Sequence, residues 1–466
     1  MAGGSSDYDQ VLVDIADYVH DYNIDDPGCW SSARLALMDA LGCAIESLNK
    51  NGTCTALRLG PMQGAFALGT LIRYSDHNDS LGGAESGHPS GTSHTTVPQA
   101  PHWVDRNERR ITIRDVLEAL IKAYEIQGCF QAENAFHAHG MDHVILVKLA
   151  STAATCRLLR LSKIQTMNAL SHVWMDSAPL RTYRSHPNTI SRKGWAAGDA
   201  CMRAVMFAML CREGAAGAPS VLTAPRWGFY DSVWRSASFS LPRPYAAWVV
   251  QNIFFKTVPA EGHGISAIEA AIKLSVELRH RNKHACNNIQ QISIRSTAAT
   301  LRIINKTGPL LNPADRDHCI QYMVAVALLK GQAPVVDDYA DDSPWACNAD
   351  VEYLRSCMTV EEDESFTRDY LDLNKRTAAN AVKITFNDGT ATEEIIVEHP
   401  VGHKRNPATE HAVKQKFHDN LTESYSDRKI SAIVAAIGDD SLRVSALTDL
   451  LAWGVTQERR LSASKL

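Results

Sequence analysis

Five short stretches of the chain concentrate side chains able to move protons or hold anions. The stretch YSDHNDSLGGAESGHPSG, Tyr74–Gly91, sets Asp76, Asp79, Glu85, His77 and His88 among glycines. FHAHGMDH brings His137, His139 and His143 together, the last opening the apolar run HVILVKLAS. LRTYRSHPNTISRKGWAAGD carries Arg181, Arg184, His186, Arg192 and Lys193 ahead of a small-residue run. FKTVPAEGHGISAIEAA places Lys256, Glu261 and His263 before a helix start, and DRDHCIQYM offers His318 and Tyr322. Each stretch alone is what a solvated loop also contains. Together they supply cations, carboxylates and imidazoles, the inventory of a pocket for a polycarboxylic acid with acid–base chemistry on it. The H-x-H spacing of His137 and His139 is a zinc-ligand spacing. No H-E-x-x-H and no carboxylate at fixed spacing accompany it, so no metal site is assigned.

Other chemistries lack their motifs. There is no G-x-S-x-G elbow and no Gly-rich nucleotide loop in strand–helix context, which weakens hydrolase, kinase and dehydrogenase readings together. A formal net charge of −5 argues against a nucleic-acid partner. The eleven cysteines form no C-x-x-C pair and lie mostly in apolar helical runs, as in a reducing compartment and without the thiolate set of an iron–sulfur hydratase. No apolar run approaches the roughly 18–20 residues that span a bilayer. The first residues, MAGGSSDYDQVLVDIADYVHDY, carry acids and no Arg, unlike a mitochondrial presequence, so a cytoplasmic protein is expected.

The elements that must position these groups are largely helical. Leu37, Leu41, Ile45 and Leu48 recur at helical spacing. TIRDVLEALIKAYEIQG opens on a Thr112/Asp115 capping box and is expected to end at Gly128. Two helices with a break near Ser162 follow, then a small-residue helix with Gly214 as its stop. Ser266 with Glu269 reads as a further capping box. QISIRS alternates as a strand, and VKITFNDGTATEEIIVE as a hairpin turning on Asn-Asp-Gly. The acidic stretches DDYADDS and VEEDES read as solvated loops. The expected fold is mainly α with α+β. A large helical domain (residues 1–248 and 403–466) carries an inserted, smaller α+β domain (249–402).

DHNDSLGGAESGHPS, KAYEIQGCFQAEN, LRTYRSHPNTISRKGWAAGDA, TAPRWGFYD and NPADRDHCIQYMVA resemble the MmgE/PrpD family over nearly the whole chain, on the side of its 2-methylcitrate dehydratases. The resemblance implies an all-helical domain with an inserted lid domain, in a homodimer with its site between the two domains and with neither metal nor organic cofactor. It implies a hydro-lyase that acts on the small tricarboxylate 2-methylcitrate, or on a longer 2-alkylcitrate, to give a cis-aconitate-type product. The alternatives are a decarboxylase of cis-aconitate and an inactive member kept as a binding protein. Carried over residue by residue, the family's site falls on Asp76, Ser80, His88, His143, Lys193, Lys256, His263 and Tyr322. Glu261 stands where the decarboxylases have His, which favours dehydration. Ser80-Leu81 replaces the Thr-Trp usual in the dehydratases, and the segment before Ala65-Phe66 is shorter than theirs, both compatible with a longer alkyl branch.

Dehydration removes a weakly acidic proton beside a carboxylate and expels hydroxide, so cations must offset the developing dianion. Lys193, Arg184 and His263 are expected to bind carboxylates. Arg181, His186, Lys256, Ser80 and Glu261 complete the binding set, and Tyr322 joins the catalytic one. His88 or His143 is the expected base. Asp76 is expected to orient that base, or to protonate the leaving hydroxyl if burial raises its pKa.

Overall fold

The computed structural model describes residues 8–51, 59–90, 102–176, 179–184, 188–280 and 286–451. Within them the protein is mainly helical, with one small mixed sheet. His186 lies outside the described residues, as does most of the shortened segment after Asn51.

One large hydrophobic core joins the helices Gln10–Asp21, Pro27–Asn51, Ile113–Glu133, Val144–Leu158 and Lys163–Met175. The helices Thr409–Thr422 and Asp427–Gly438 return to this core, inserting Val413, Phe417, Leu421, Ile433 and Ile437. Phe417 packs against Gly42, whose missing Cβ would lie 3.1 Å from the ring. Burying such a ring stabilises by about 1.5–3 kcal/mol. The small-residue helix Arg192–Arg212 lies across Pro61–Tyr74. A Cβ at Gly198 would meet the Phe66 carbonyl oxygen at 2.4 Å, so the glycine is what permits that approach.

A second core runs from Val258 to Val397. Its sheet has the order β2-β1-β3-β4, with β1 at Ile289–Ser296, β2 at Met358–Glu362, β3 at Asn380–Phe386 and β4 at Ile395–Val397. β1 runs parallel to β2 and antiparallel to β3, with Ile292 opposite Met358 on one side and Ile384 on the other. Ile289, Ile292, Ile294 and Ser296 of β1 are buried, largely at the two-residue period of a strand. The helices Ile265–His280 and Ile320–Lys330 contribute the rest of this core.

The Thr112/Asp115 capping box, the break capped by Ser162, the positive φ of Gly214 and the hairpin turn at Gly389 are all present. Three readings are corrected. The helix from Ile113 continues to Glu133, because Gly128 serves close packing: its Cβ would overlap Val249 and Leu81 at 2.6 and 2.7 Å. Ser266 and Glu269 form no capping box. The Ser266 hydroxyl donates to the Ala378 carbonyl, and the Glu269 carboxylate accepts from the Val401 N–H. The acidic stretches are solvated, with Asp337, Asp341, Asp342, Glu361, Glu362 and Glu364 exposed, but they are not simply loops. Asp338 is buried in a turn of 3-10 helix, while Val360–Glu362 complete β2 and Asp363 caps the helix Glu364–Leu371. Among the described residues, no helix is long and apolar enough to cross a membrane.

Candidate active site

A cavity of about 390 Å³ opens where segments of the two cores meet. Ser80, His88, His143, Arg181, Arg184, Glu261 and His263, all singled out in the sequence, line it. Asp76, Lys193 and Lys256 stand directly behind that lining.

The loop after Pro61–Tyr74 is held in an unusual path. Asp76 has φ of +49°, a left-handed conformation that an aspartate tolerates at a cost. The carboxylate of Asp76 is buried among Arg73 at 2.7 Å, Lys256 at 3.1 Å, His88 Nε2 at 3.7 Å and His318 Nε2 at 3.9 Å. The Lys256 ammonium also donates to the Asp76 carbonyl at 2.9 Å. Burial pushes the Asp76 pKa up, but Lys256, Arg73 and Lys193 outweigh it and hold the carboxyl well below its usual range. Asp76 is therefore ionised, and the expectation that it protonates a leaving hydroxyl is withdrawn.

His88 Nδ1 lies 2.8 Å from the Asp79 carbonyl oxygen, which can only accept. Nδ1 therefore carries the proton, and the Nε2 lone pair is left on the side of Asp76 and the cavity. Asp79 is itself fixed, accepting from the Ser90 N–H at 3.0 Å and the Tyr124 hydroxyl at 2.6 Å. Burial and the neighbouring Asp39 raise the Asp79 pKa to about 6. Burial, Arg73 and Lys256 push the His88 pKa well below its ordinary value, so the ring is neutral. His143 caps the helix Val144–Leu158, its ring centroid 5.7 Å from that of His88. Burial lowers its pKa to about 3 despite Asp142 alongside. Asp142 is committed to Arg184 and to the Val144 N–H.

The opposite wall carries the reverse charge logic. Glu261 caps the turn of 3-10 helix Gly262–Gly264 that holds His263, with His263 Nδ1 2.9 Å from one Glu261 oxygen and the His263 N–H donating to the other at 3.0 Å. Burial lowers the His263 pKa, yet Glu261 overcomes it and raises it to about 9. His263 is a buried cation at neutral pH. His318, between Asp317 at 2.6 Å and the Lys193 ammonium at 3.2 Å, is neutral, because burial and Lys193 lower its pKa.

Two expectations change here. Tyr322 is not in the site. It is fully buried in the second core, its hydroxyl donating to the Asp338 carbonyl at 2.8 Å. Lys193 and Arg184 are not free carboxylate binders, since each already holds a buried carboxylate, Asp317 at 2.6 Å and Asp142 respectively. Arg181, Arg376 and Lys306 also line the cavity, Arg181 against Glu85 at 3.4 Å and Lys306 against Asp315 at 3.1 Å. Tyr370 was missed, although it lines the cavity and touches His263. The Asp363 cap of its short helix was the available signal. His318 was noticed in the sequence but given no role.

The chain matches the MmgE/PrpD N-terminal domain over residues 52–242 and the MmgE/PrpD C-terminal domain over residues 258–439. It is 46% identical to alkylcitrate dehydratase phiI of Fungal sp. (strain ATCC 74256) over 96% of this chain and 94% of the relative. It is 46% identical to the 2-methylcitrate dehydratase-like protein oryR of Aspergillus oryzae over 95% of each. It is 42% identical to 2-methylcitrate dehydratase of Escherichia coli (strain K12) over 92% of this chain and 93% of the relative. Both family domains matched along one chain, with relatives 42–46% identical over nearly its whole length, lead to one conclusion: this protein belongs to the MmgE/PrpD family.

Proposed function

We propose that the protein is a hydro-lyase that dehydrates a 2-alkylcitrate, with 2-methylcitrate the shortest member, to the corresponding cis-aconitate-type tricarboxylate. The names carried by its relatives support the reaction class. The observation that carries the reading is His88: a neutral ring with its tautomer fixed by the Asp79 carbonyl and its free Nε2 on the cavity side, backed by an ionised Asp76. Nε2 takes the proton from the carbon beside a substrate carboxylate. Asp76, 3.7 Å away, stabilises the imidazolium that forms. Arg376 and protonated His263 provide positive charge around the developing dianion, with Arg181 shared between it and Glu85. A bound polyanion also raises the proton affinity of His88, offsetting the depression caused by Arg73 and Lys256. His143, a neutral ring in the cavity lining with Nδ1 3.5 Å from Asp142, is placed to hydrogen-bond a substrate carboxyl or hydroxyl.

In the same reading residues 1–248 with 403–466 form the helical domain and 249–402 the lid, with the cavity between them. The active form is a homodimer in the cytoplasm. The return of Val413–Ile437 to the first core supports the domain division. The test is an ultraviolet assay for the conjugated product across 2-alkylcitrates of increasing chain length. Formation of a conjugated tricarboxylate supports the reading. Its absence with every member of the series, or release of carbon dioxide from cis-aconitate in its place, overturns it.

A further inference from the structure

We infer that Tyr370 is the general acid of this dehydration: its phenolic hydroxyl protonates the departing hydroxyl group, and the His263–Glu261 pair reloads it. The inference rests on the dehydratase reading above. Hydroxide leaves poorly unless it takes a proton in the transition state, so an elimination of this kind needs a donor as well as a base. The groups first assigned to the site do not supply it. Asp76 is ionised, His88 and His143 are neutral and the former serves as base, while Lys193 and Arg184 are bound to carboxylates.

Tyr370 is placed differently. It comes from the helix Glu364–Leu371, whose first N–H groups are held by Asp363, and its hydroxyl reaches across to the loop that carries His88. The Tyr370 oxygen lies 3.1 Å from His263 Nε2 and 3.0 Å from Ser86 Oγ, and it accepts from the Gly83 N–H at 3.3 Å. A Cβ at Gly82 would fall 2.3 Å from that oxygen, so glycine is required for the approach. Arg376, from the segment just after the helix, donates to the Gly82 carbonyl at 2.6 Å and fastens the same contact. The carboxylate of Glu261, the imidazolium of His263 and the phenol of Tyr370 thus form one hydrogen-bonded line ending in the cavity. Burial raises the phenol pKa, but the adjacent His263 cation outweighs it and brings it below the ordinary value, which makes the hydroxyl a better donor.

The protons balance. His88 Nε2 removes the carbon-bound proton, and that electron pair becomes the new carbon–carbon double bond. The carbon–oxygen bond breaks with its pair on oxygen, which takes the Tyr370 proton and leaves as water. The phenolate recovers a proton from His263 Nε2. Solvent then reprotonates His263 beside Glu261 and accepts the proton held by His88.

The test compares wild type with Tyr370→Phe on a turned-over 2-alkylcitrate and on its analogue bearing chloride in place of the hydroxyl. Chloride leaves without a proton. We expect Tyr370→Phe to lower kcat on the hydroxy acid by about 10²–10⁴-fold. Chloride elimination should change by less than about tenfold, with KM little altered on both. Equal losses on the two substrates, or an unchanged kcat on the hydroxy acid, overturn the assignment while the dehydratase reading stands. Wild type inert on every 2-alkylcitrate overturns both. A ring-fluorinated tyrosine at position 370, nearly the same in shape and more acidic, checks against misfolding. The alkaline limb of kcat should move to lower pH, and an unmoved limb overturns the proposal.

Discussion

The two walls of the cavity hold their histidines in opposite protonation states. On the wall built by the first core, His88 and His143 are neutral, because burial and nearby cations disfavour a second positive charge. On the wall built by the second core, His263 is a cation up to about pH 9, because Glu261 lies against its ring. All three rings are at least partly buried and all three line the cavity, so the residue type does not decide the role. The charged neighbour does. One wall is prepared to take a proton and the other to supply one, which is how two similar groups come to divide acid and base work.

The strongest way to break this contrast is to remove the base. His88→Asn should lower kcat by about 10²–10⁴-fold while the protein still binds tricarboxylate. Steady-state rates beside calorimetric binding check this, and turnover near wild type would transfer the base role to His143 or His318. Next comes the cation behind the first wall. Lys256→Met leaves the buried Asp76 with less compensation and should destabilise by about 3–5 kcal/mol, read as a lower denaturant midpoint.

Glu261→Gln sharpens the contrast without removing a ring. With its carboxylate partner gone, the His263 pKa should fall from about 9, since only Tyr370 is left to oppose burial, and activity at neutral pH should drop by roughly tenfold or more. The same pair leaves a mark on stability. The folded pKa of His263 is about 9 against an ordinary 6.5, so its contribution is complete below 6.5 and is lost as pH rises through 9. Wild type should lose up to about 3 kcal/mol over that window, and Glu261→Gln should lose little there. A flat difference between the two proteins would count against the His263 cation. The smallest expected effect is that of Tyr322→Phe. It removes one hydrogen bond in the second core, about 1 kcal/mol, and leaves kcat within about twofold. Beside the large loss expected at Tyr370, this separates the tyrosine that was read in the sequence from the one the fold brings to the cavity.

Much of the site was legible because its groups sit on short loops beside strong helix signals. The loop from Tyr74, His143 ahead of an apolar run, and Glu261 with His263 before a helix all fall at the cavity for that reason. What the sequence hid was pairing. Nothing in the spacing of Lys193 or Arg184 says that Asp317 and Asp142 will neutralise them, since those contacts join segments far apart in the chain. Tyr322 illustrates the opposite error. IQYMVAVALLK is an apolar helix on every face, and a tyrosine inside it packs in the core with its hydroxyl on a backbone carbonyl. Tyr370 was hidden because its helix spans only eight residues in an acidic stretch. Its place depends on β2, a strand that was read as loop.

The ammonium of Lys416 has a consequence for how this enzyme comes into being. It sits on the helix Thr409–Thr422, pairs with Asp39, and donates to the carbonyls of His77 at 2.9 Å and Lys256 at 2.7 Å. It thereby clamps the backbone beside Asp76 to the backbone that carries the Lys256 side chain. Lys416 lies 339 residues after His77 in the chain. A growing polypeptide that already contains His88, His143, His263 and Tyr370 still lacks this clamp. On the ribosome all four of these proton-transfer groups are therefore synthesised before the side chain that locks the backbone around them.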